Sequence, residues 1–213
     1  MTRSGGYDSG YDACPCFWGK EPSSLIRQLV DGSSAVARWR VLDVGCGEGK
    51  NAMYLARLGA TVHAMDISAS AIRNARRAWD DASLVTWEVA DACARFFAPA
   101  EYDLVVAYGL LHCLPSEHAI GTLIRSLQLA TRPGGYNVVC TFNDREQDLT
   151  AHPDLNPTLL AHRQYLNYYR SWELLHESDQ DLHETHPNNL LPHSHSMTRM
   201  IARRPHDEIT STR

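Results

Sequence analysis

The segment Val41-Leu-Asp-Val-Gly-Cys-Gly-Glu-Gly-Lys50 constrains this chain more than any other. Residues 41–44 are a short apolar run that reads as a buried strand, and it ends in three closely spaced glycines. Glycine has no Cβ, so at Gly45 and Gly47 the backbone can approach a ligand closely. A helical pattern follows over residues 51–58, with Ala52, Leu55 and Ala56 on one face and Gly59 as its stop. A strand, a glycine turn and a helix open a doubly wound α/β sheet, where ligands sit beyond the carboxyl ends of the strands.

The alternation continues along the chain. Residues 61–65 read as a strand and 68–79 as a helix capped by Ser68. Residues 84–89 and 104–107 give the third and fourth strands. A helix over 117–131 stops at Pro133, Gly134 and Gly135, and 136–141 give the fifth strand. Upstream, Leu25, Ile26, Leu29 and Val30 keep helical spacing behind Pro22 and Ser23. Near the end, a helix over 158–170 precedes strand-like runs at 172–176 and 197–202, separated by a loop. Two final strands with no helix between them pair as an antiparallel hairpin. The expected fold is α/β: one doubly wound seven-stranded sheet, mostly parallel, with a C-terminal antiparallel hairpin and helices on both faces. Residues 1–15 are expected to be a flexible N-terminal tail and 16–213 a single domain.

Composition narrows the partners. The net charge is −5, and a chain that grips phosphate backbones usually shows a basic face, so no nucleic-acid partner is expected. No apolar run approaches the roughly 20 residues of a bilayer span, and the N-terminus lacks a hydrophobic signal core. The expectation is a cytoplasmic protein without a membrane partner, a monomer or a homodimer. Six cysteines, at 14, 16, 46, 93, 113 and 140, match neither a secreted disulfide framework nor paired zinc knuckles.

Three nucleotide chemistries compete for the glycine loop. A P-loop needs GxxxxGK followed by Ser or Thr, whereas Val44 and Asn51 stand at the required positions. A dinucleotide fingerprint needs GxGxxG, but Lys50 occupies the place of the third glycine. Asp43, at the loop entrance, would repel a pyrophosphate. It suits a positively charged ligand, such as the amino and sulfonium groups of S-adenosylmethionine. Asp66 closes the second strand, where a carboxylate can accept ribose hydroxyls. Asp91 closes the third, within reach of an adenine edge.

Leu42-Asp-Val-Gly-Cys-Gly-Glu-Gly, Asp66, Asp91 and Pro133-Gly-Gly-Tyr together resemble the successive motifs of class I S-adenosylmethionine-dependent methyltransferases. Pro133-Gly-Gly-Tyr-Asn137, Tyr168-Tyr169, Trp172-Glu-Leu-Leu175 and Asp181-Leu-His183 resemble the tellurite-resistance branch, close to thiopurine-type enzymes. The resemblance implies that Asp43, Gly45 and Gly47 hold the methionine part of the cofactor. It implies Asp66 on the ribose, Asp91 and Ala92 near the adenine, and Tyr108 beside the sulfonium. Trp18, in Trp18-Gly-Lys-Glu-Pro-Ser23, resembles the segment that caps the cofactor. Lys50 and Ile67 complete the expected cofactor-binding set.

Four of the eleven histidines, His183, His186, His193 and His195, fall in the final hairpin. In such a sheet the turn after the last parallel strand projects over the active site, near the acceptor. The tellurite-resistance branch carries a His-Arg pair where this chain has His183-Glu184, and a second arginine where it has Leu191, Pro192 or His193. A carboxylate cannot bind an oxyanion bidentately, which argues against a tellurite or selenite acceptor. Three readings of the cluster stay open. One is a solvated hairpin. Another is a general base, with His183 or His195 as catalytic residue beside Tyr108. The third is a divalent metal held by His183, His193 and His195. Tyr165, Tyr168, Tyr169 and Trp172 read as helix-to-sheet packing rather than an acceptor enclosure.

The expected function is transfer of a methyl group from S-adenosylmethionine to a nucleophilic S, Se, N or O atom of a small-molecule acceptor. The alternatives are a non-catalytic subunit that binds the same cofactor within an assembly and a nicotinamide reductase. The glycine spacing and Asp43 argue against the reductase.

Overall fold

Strand β1 (Arg40–Val44) buries Val41, Leu42 and Val44 because neighbours cover both of its faces. It pairs in parallel with β2 (Thr61–Asp66) on one side and β4 (Tyr102–Tyr108) on the other. In the same sense, β3 (Val85–Val89) extends the β2 side and β5 (Thr131–Gln147) the β4 side. β7 (Asn189–Arg203) runs antiparallel between β5 and β6 (Glu173–His186). The order is β3-β2-β1-β4-β5-β7-β6, the expected mostly parallel seven-stranded sheet with an antiparallel terminal hairpin. The computed structural model describes residues 6–152, 154–186 and 189–206. Among these, no helix is long and apolar enough to cross a membrane.

Alternating side chains along the central strands feed two cores. Val41, Leu104 and Val106 join α2 (Ser24–Val30) and α3 (Lys50–Arg57) in one. Leu42, Val44 and Val105 join α5 (Glu117–Ala130) and α6 (His162–Tyr168) in the other. Tyr165 and Tyr169 are fully buried in that second core, and the Tyr169 hydroxyl donates to Asn137 Oδ1, so these aromatics are packing, as expected. Ser68 Oγ caps α4 (Ala69–Ala78) by accepting the Ala71 N–H, and Ser116 caps α5 in the same way. Gly49, the N-cap of α3, has φ +81°, and a Cβ there would lie 2.2 Å from the Trp87 ring, so only glycine serves.

Strand order reverses between β1 and β4, which opens a crevice at their carboxyl ends. The fold departs from expectation in three places. Residues 8–13 are not tail but a helix, α1 (Asp8–Ala13), with Tyr11 buried. β5 begins at Thr131 rather than 136, and the register jump from Tyr102↔Thr131 to Leu104↔Tyr136 absorbs Pro133, Gly134 and Gly135 as a bulge. The expected loop between the last two strands is itself strand. β6 and β7 pair as far as Glu184↔His193 and His186↔Asn189, well past the end of the β5 ladder at Gln147↔His195. The polar run Asp179-Gln-Asp-Leu-His-Glu alternates along this overhanging hairpin and lacks the apolar density that marks a strand in sequence.

Candidate active site

A cavity of about 350 Å³ occupies the crevice between β1 and β4. Its floor is the glycine loop. Asp66, at the end of β2, ties that loop down: Oδ2 accepts the Gly47 N–H at 2.8 Å, and Oδ1 accepts the Ser68 N–H at 2.8 Å. Ile67 lines the wall beside it, and Tyr108 lines the end of β4. Burial pushes the Tyr108 phenol well above its usual range, so it stays neutral. Lys50, at the first turn of α3, donates from Nζ to the Trp18 carbonyl at 3.1 Å. Burial lowers its pKa, and the Glu184 carboxylate partly offsets that. The expected residues Trp18, Gly45, Gly47, Lys50, Asp66, Ile67 and Tyr108 therefore meet around one space.

Asp43 lies beneath the loop, not in the cavity wall. Burial and the neighbouring Asp66 push its carboxyl up to about 7, against a hydrogen bond from the Ala52 N–H and the charge of Lys50. Its Oδ2 is buried and has no hydrogen-bond partner among the described residues. Asp91 and Ala92 do not reach the cavity wall. Asp91 is exposed, and its Oδ1 accepts the Cys93 N–H at 2.8 Å, so the side chain folds onto its own turn.

The second half of the expected tail, with residues 16–18 after it, covers the cavity instead. Tyr7, Tyr11 and Trp18 line it from above, with Tyr7 and Phe17 edge-on to Trp18. Glu48, buried in the glycine loop, anchors this cover: Oε1 accepts the Cys16 N–H at 2.8 Å and Asn74 Nδ2 at 3.0 Å. Asn74 Nδ2 also donates to the Tyr11 carbonyl, and Asn51 Oδ1 accepts the Ser23 N–H. A polar, glycine-rich composition concealed Tyr7 and Tyr11, which pack against this ledge beside Phe17 and the expected Trp18. Residues 1–5 of the expected tail lie outside the described residues.

The hairpin sorts its histidines by strand parity. His183 is exposed, contrary to expectation; Leu182 and Glu184, on the other face of β6, line the cavity. His193 and His195 on β7 are buried beside Glu184, and His152, from the loop after β5, joins them. One ligand atom from each of His152, Glu184, His193 and His195 lies within 4.8 Å of the others. Glu184, which stood against an oxyanion in the sequence, thus takes the inward place assigned to His183. His186 has no described side chain. His152 carried no sequence signal, standing alone in an irregular loop.

His112 was also missed. It lines the cavity just past β4, stacked on Phe142 at 3.9 Å, and Phe142 stacks in turn on His195 at 4.1 Å. Burial and the nearby His195 and His152 depress it to about 3, so the ring is neutral. The Phe142 N–H donates to His112 Nδ1, which leaves the ring proton on Nε2, 3.2 Å from the Tyr7 hydroxyl. Its position just after β4, at the switch point, was the available signal.

Residues 41–135 match the methyltransferase-domain family. The chain is 28% identical over 169 residues to the probable S-adenosyl-L-methionine-dependent methyltransferase TehB of Haemophilus influenzae, covering 78% of this chain and 58% of that protein. It is 31% identical over 116 residues to a ubiquinone biosynthesis O-methyltransferase of Cupriavidus pinatubonensis, covering 54% of this chain and 45% of that protein. The chain thus spans about half the length of these curated relatives. The crystal structure of TehB from Haemophilus influenzae superposes with a TM-score of 0.68 at 23% identity, over 83% of this chain and 61% of that one. A structure described for conversion of a disulfide bond into a thioacetal group during echinomycin biosynthesis gives 0.70 at 24% identity, over 97% and 93%.

Proposed function

We propose that this chain is a class I S-adenosylmethionine-dependent methyltransferase of the tellurite-resistance-like branch, which methylates a nucleophilic S, Se, N or O atom of a small molecule. One observation carries the reading. One cavity is lined both by the glycine loop and Asp66 and by Phe142 and Glu184 on the hairpin side, which supports cofactor and acceptor sharing one space.

The residues fit the cofactor. The buried Asp43 Oδ2 lacks a hydrogen-bond donor, and a cationic group above the loop would offset its charge. Each Asp66 oxygen accepts one backbone N–H and keeps a lone pair for a ribose hydroxyl. The cofactor supplies a methyl group already activated by its sulfonium. The chain's own residues then align and desolvate. Trp18 and Tyr11 exclude water from above, and the neutral Tyr108 borders the transfer site without adding charge. His112 and Tyr7 hold the acceptor's wall as a neutral hydrogen-bonded pair. Asp91 and Ala92 contribute to adenine binding only if the turn after β3 closes on it. The histidine cluster stands at the acceptor end.

Calorimetry with S-adenosylmethionine, S-adenosylhomocysteine and NAD tests the cofactor, with binding expected for the first two alone. Incubation with thiols, selenols, imidazoles and phenols, read as S-adenosylhomocysteine formation, tests the reaction. Cofactor binding with no product from any acceptor class would favour the non-catalytic subunit.

A further inference from the structure

We propose that His152, Glu184, His193 and His195 form a binding site for one divalent transition-metal ion of the zinc class, set in the hairpin wall of the cavity. Three imidazoles and one carboxylate are the donor types such ions select. The four donor atoms converge within 4.8 Å from three separate chain segments: the loop after β5, β6 and β7. Glu184 Oε1 stands 3.7 Å from His193 Nε2 and 3.8 Å from His195 Nε2. Those two separations are too long for hydrogen bonds and slightly wider than ligand spacings about an ion with bonds of about 2.0–2.2 Å, while the set as a whole spans up to 4.8 Å, so binding draws the widest pair inward by about 1 Å.

The hydrogen bonds behind the ligands fix which nitrogens face inward. His193 Nδ1 lies 2.9 Å from the Leu191 carbonyl, which can only accept, so Nδ1 carries the proton and Nε2 presents a lone pair to the cluster. His195 Nδ1 lies 3.0 Å from Gln147 Oε1. Gln147 cannot turn its amide around, because Nε2 donates to the carbonyls of Asn143 and Ser196. His195 Nε2 therefore also presents a lone pair. A metal-binding histidine has this arrangement, the outer nitrogen donating to a carbonyl or carboxamide oxygen while the inner one binds. A hydrogen-bonded polar cluster needs no such agreement between two rings. Parity completes the case: His193 and His195 share a face of β7, and Glu184 opposes His193 in the ladder.

Glu184 and Phe142 border both this cluster and the cavity, which sets the ion on the hairpin side of the cavity. That acceptor-side assignment rests on the methyl-transfer reading; the metal site does not.

The experiment is cobalt and zinc loading of the tag-free full chain after dialysis against EDTA, read by visible Co²⁺ absorption and by elemental analysis. One ion per chain is expected in the wild type and in His183→Ala, whose side chain is exposed on the opposite face. Loss of the ion, or affinity at least about tenfold weaker, is expected in His193→Ala, His195→Ala and Glu184→Gln. Cooperative melting and a native circular dichroism spectrum identify the variants that remain folded; if the alanine variants fail to fold, His195→Gln gives the same readout. A wild type that melts cooperatively and takes up no ion, or variants that bind it as well as the wild type, would overturn the site. Metal uptake without cofactor binding would overturn the methyltransferase assignment and leave the site standing.

Discussion

Asp66 joins both jobs of the cofactor site in one side chain, since the oxygens that fix the Gly47 and Ser68 backbone are those proposed to meet the ribose. Asp66→Ala should weaken S-adenosylmethionine by about 1–3 kcal/mol, read by calorimetry, through loss of a charged acceptor. Unchanged affinity would remove Asp66 from the site. Asp43 gives a pH signature. Its carboxyl is raised to about 7 in the folded chain by burial and Asp66, above its unfolded value. It therefore binds a proton more tightly when folded. Its contribution to stability is full below about pH 4 and is lost as pH rises through 7. A cationic cofactor favours the ionised form, so affinity should run the opposite way, about tenfold weaker at pH 6 than at pH 7.5. Asp43→Asn should flatten that difference. Equal slopes in wild type and variant would show that another group titrates.

Segments with dense apolar residues and sharp stops declared themselves in the sequence: β1, the glycine loop, α3, and α4 behind Ser68. Elements built from polar residues did not. The outer hairpin needs no core, because its partner strand supplies its hydrogen bonds, so neither its length nor the parity that turns His183 outward was legible. α1 was hidden for a related reason, since a short helix held by tertiary contacts leaves little periodicity. Those contacts centre on Glu48, and they make the cover testable as an element. Glu48→Ala removes the acceptor shared by the Cys16 N–H and Asn74. The N-terminal segment should then be cleaved faster by protease, with cofactor affinity falling about tenfold as Trp18 and Tyr11 lose their anchor. Rapid cleavage with unchanged affinity would detach the cover from cofactor binding.

Across the whole molecule, the proposed metal centre sits where the architecture is least self-supporting. The β6–β7 hairpin overhangs the sheet beyond the β5 ladder, and the loop carrying His152 crosses it without regular structure. An ion bridging loop, β6 and β7 would bind the native arrangement and not the unfolded chain, so its affinity adds to global stability. At a free concentration of about 100 times Kd this linkage is worth about 2.7 kcal/mol. For a domain of 213 residues each kcal/mol moves Tm by about 2–4 °C. Chelation should therefore lower Tm by about 5–10 °C in scanning calorimetry, and zinc should restore it. In Glu184→Gln the chelator-dependent shift should shrink, because the proposed site loses its carboxylate and with it the charge that complements three imidazoles on one ion. The cofactor should raise Tm separately, by binding at the glycine loop. The two increments should add, since Asp66 acts through β2 and the glycine loop while His195 acts through β7 and Gln147. Increments that exceed the sum would mean that cofactor and ion favour the same closed arrangement of the cavity, with Glu184 and Lys50 as the charges between them.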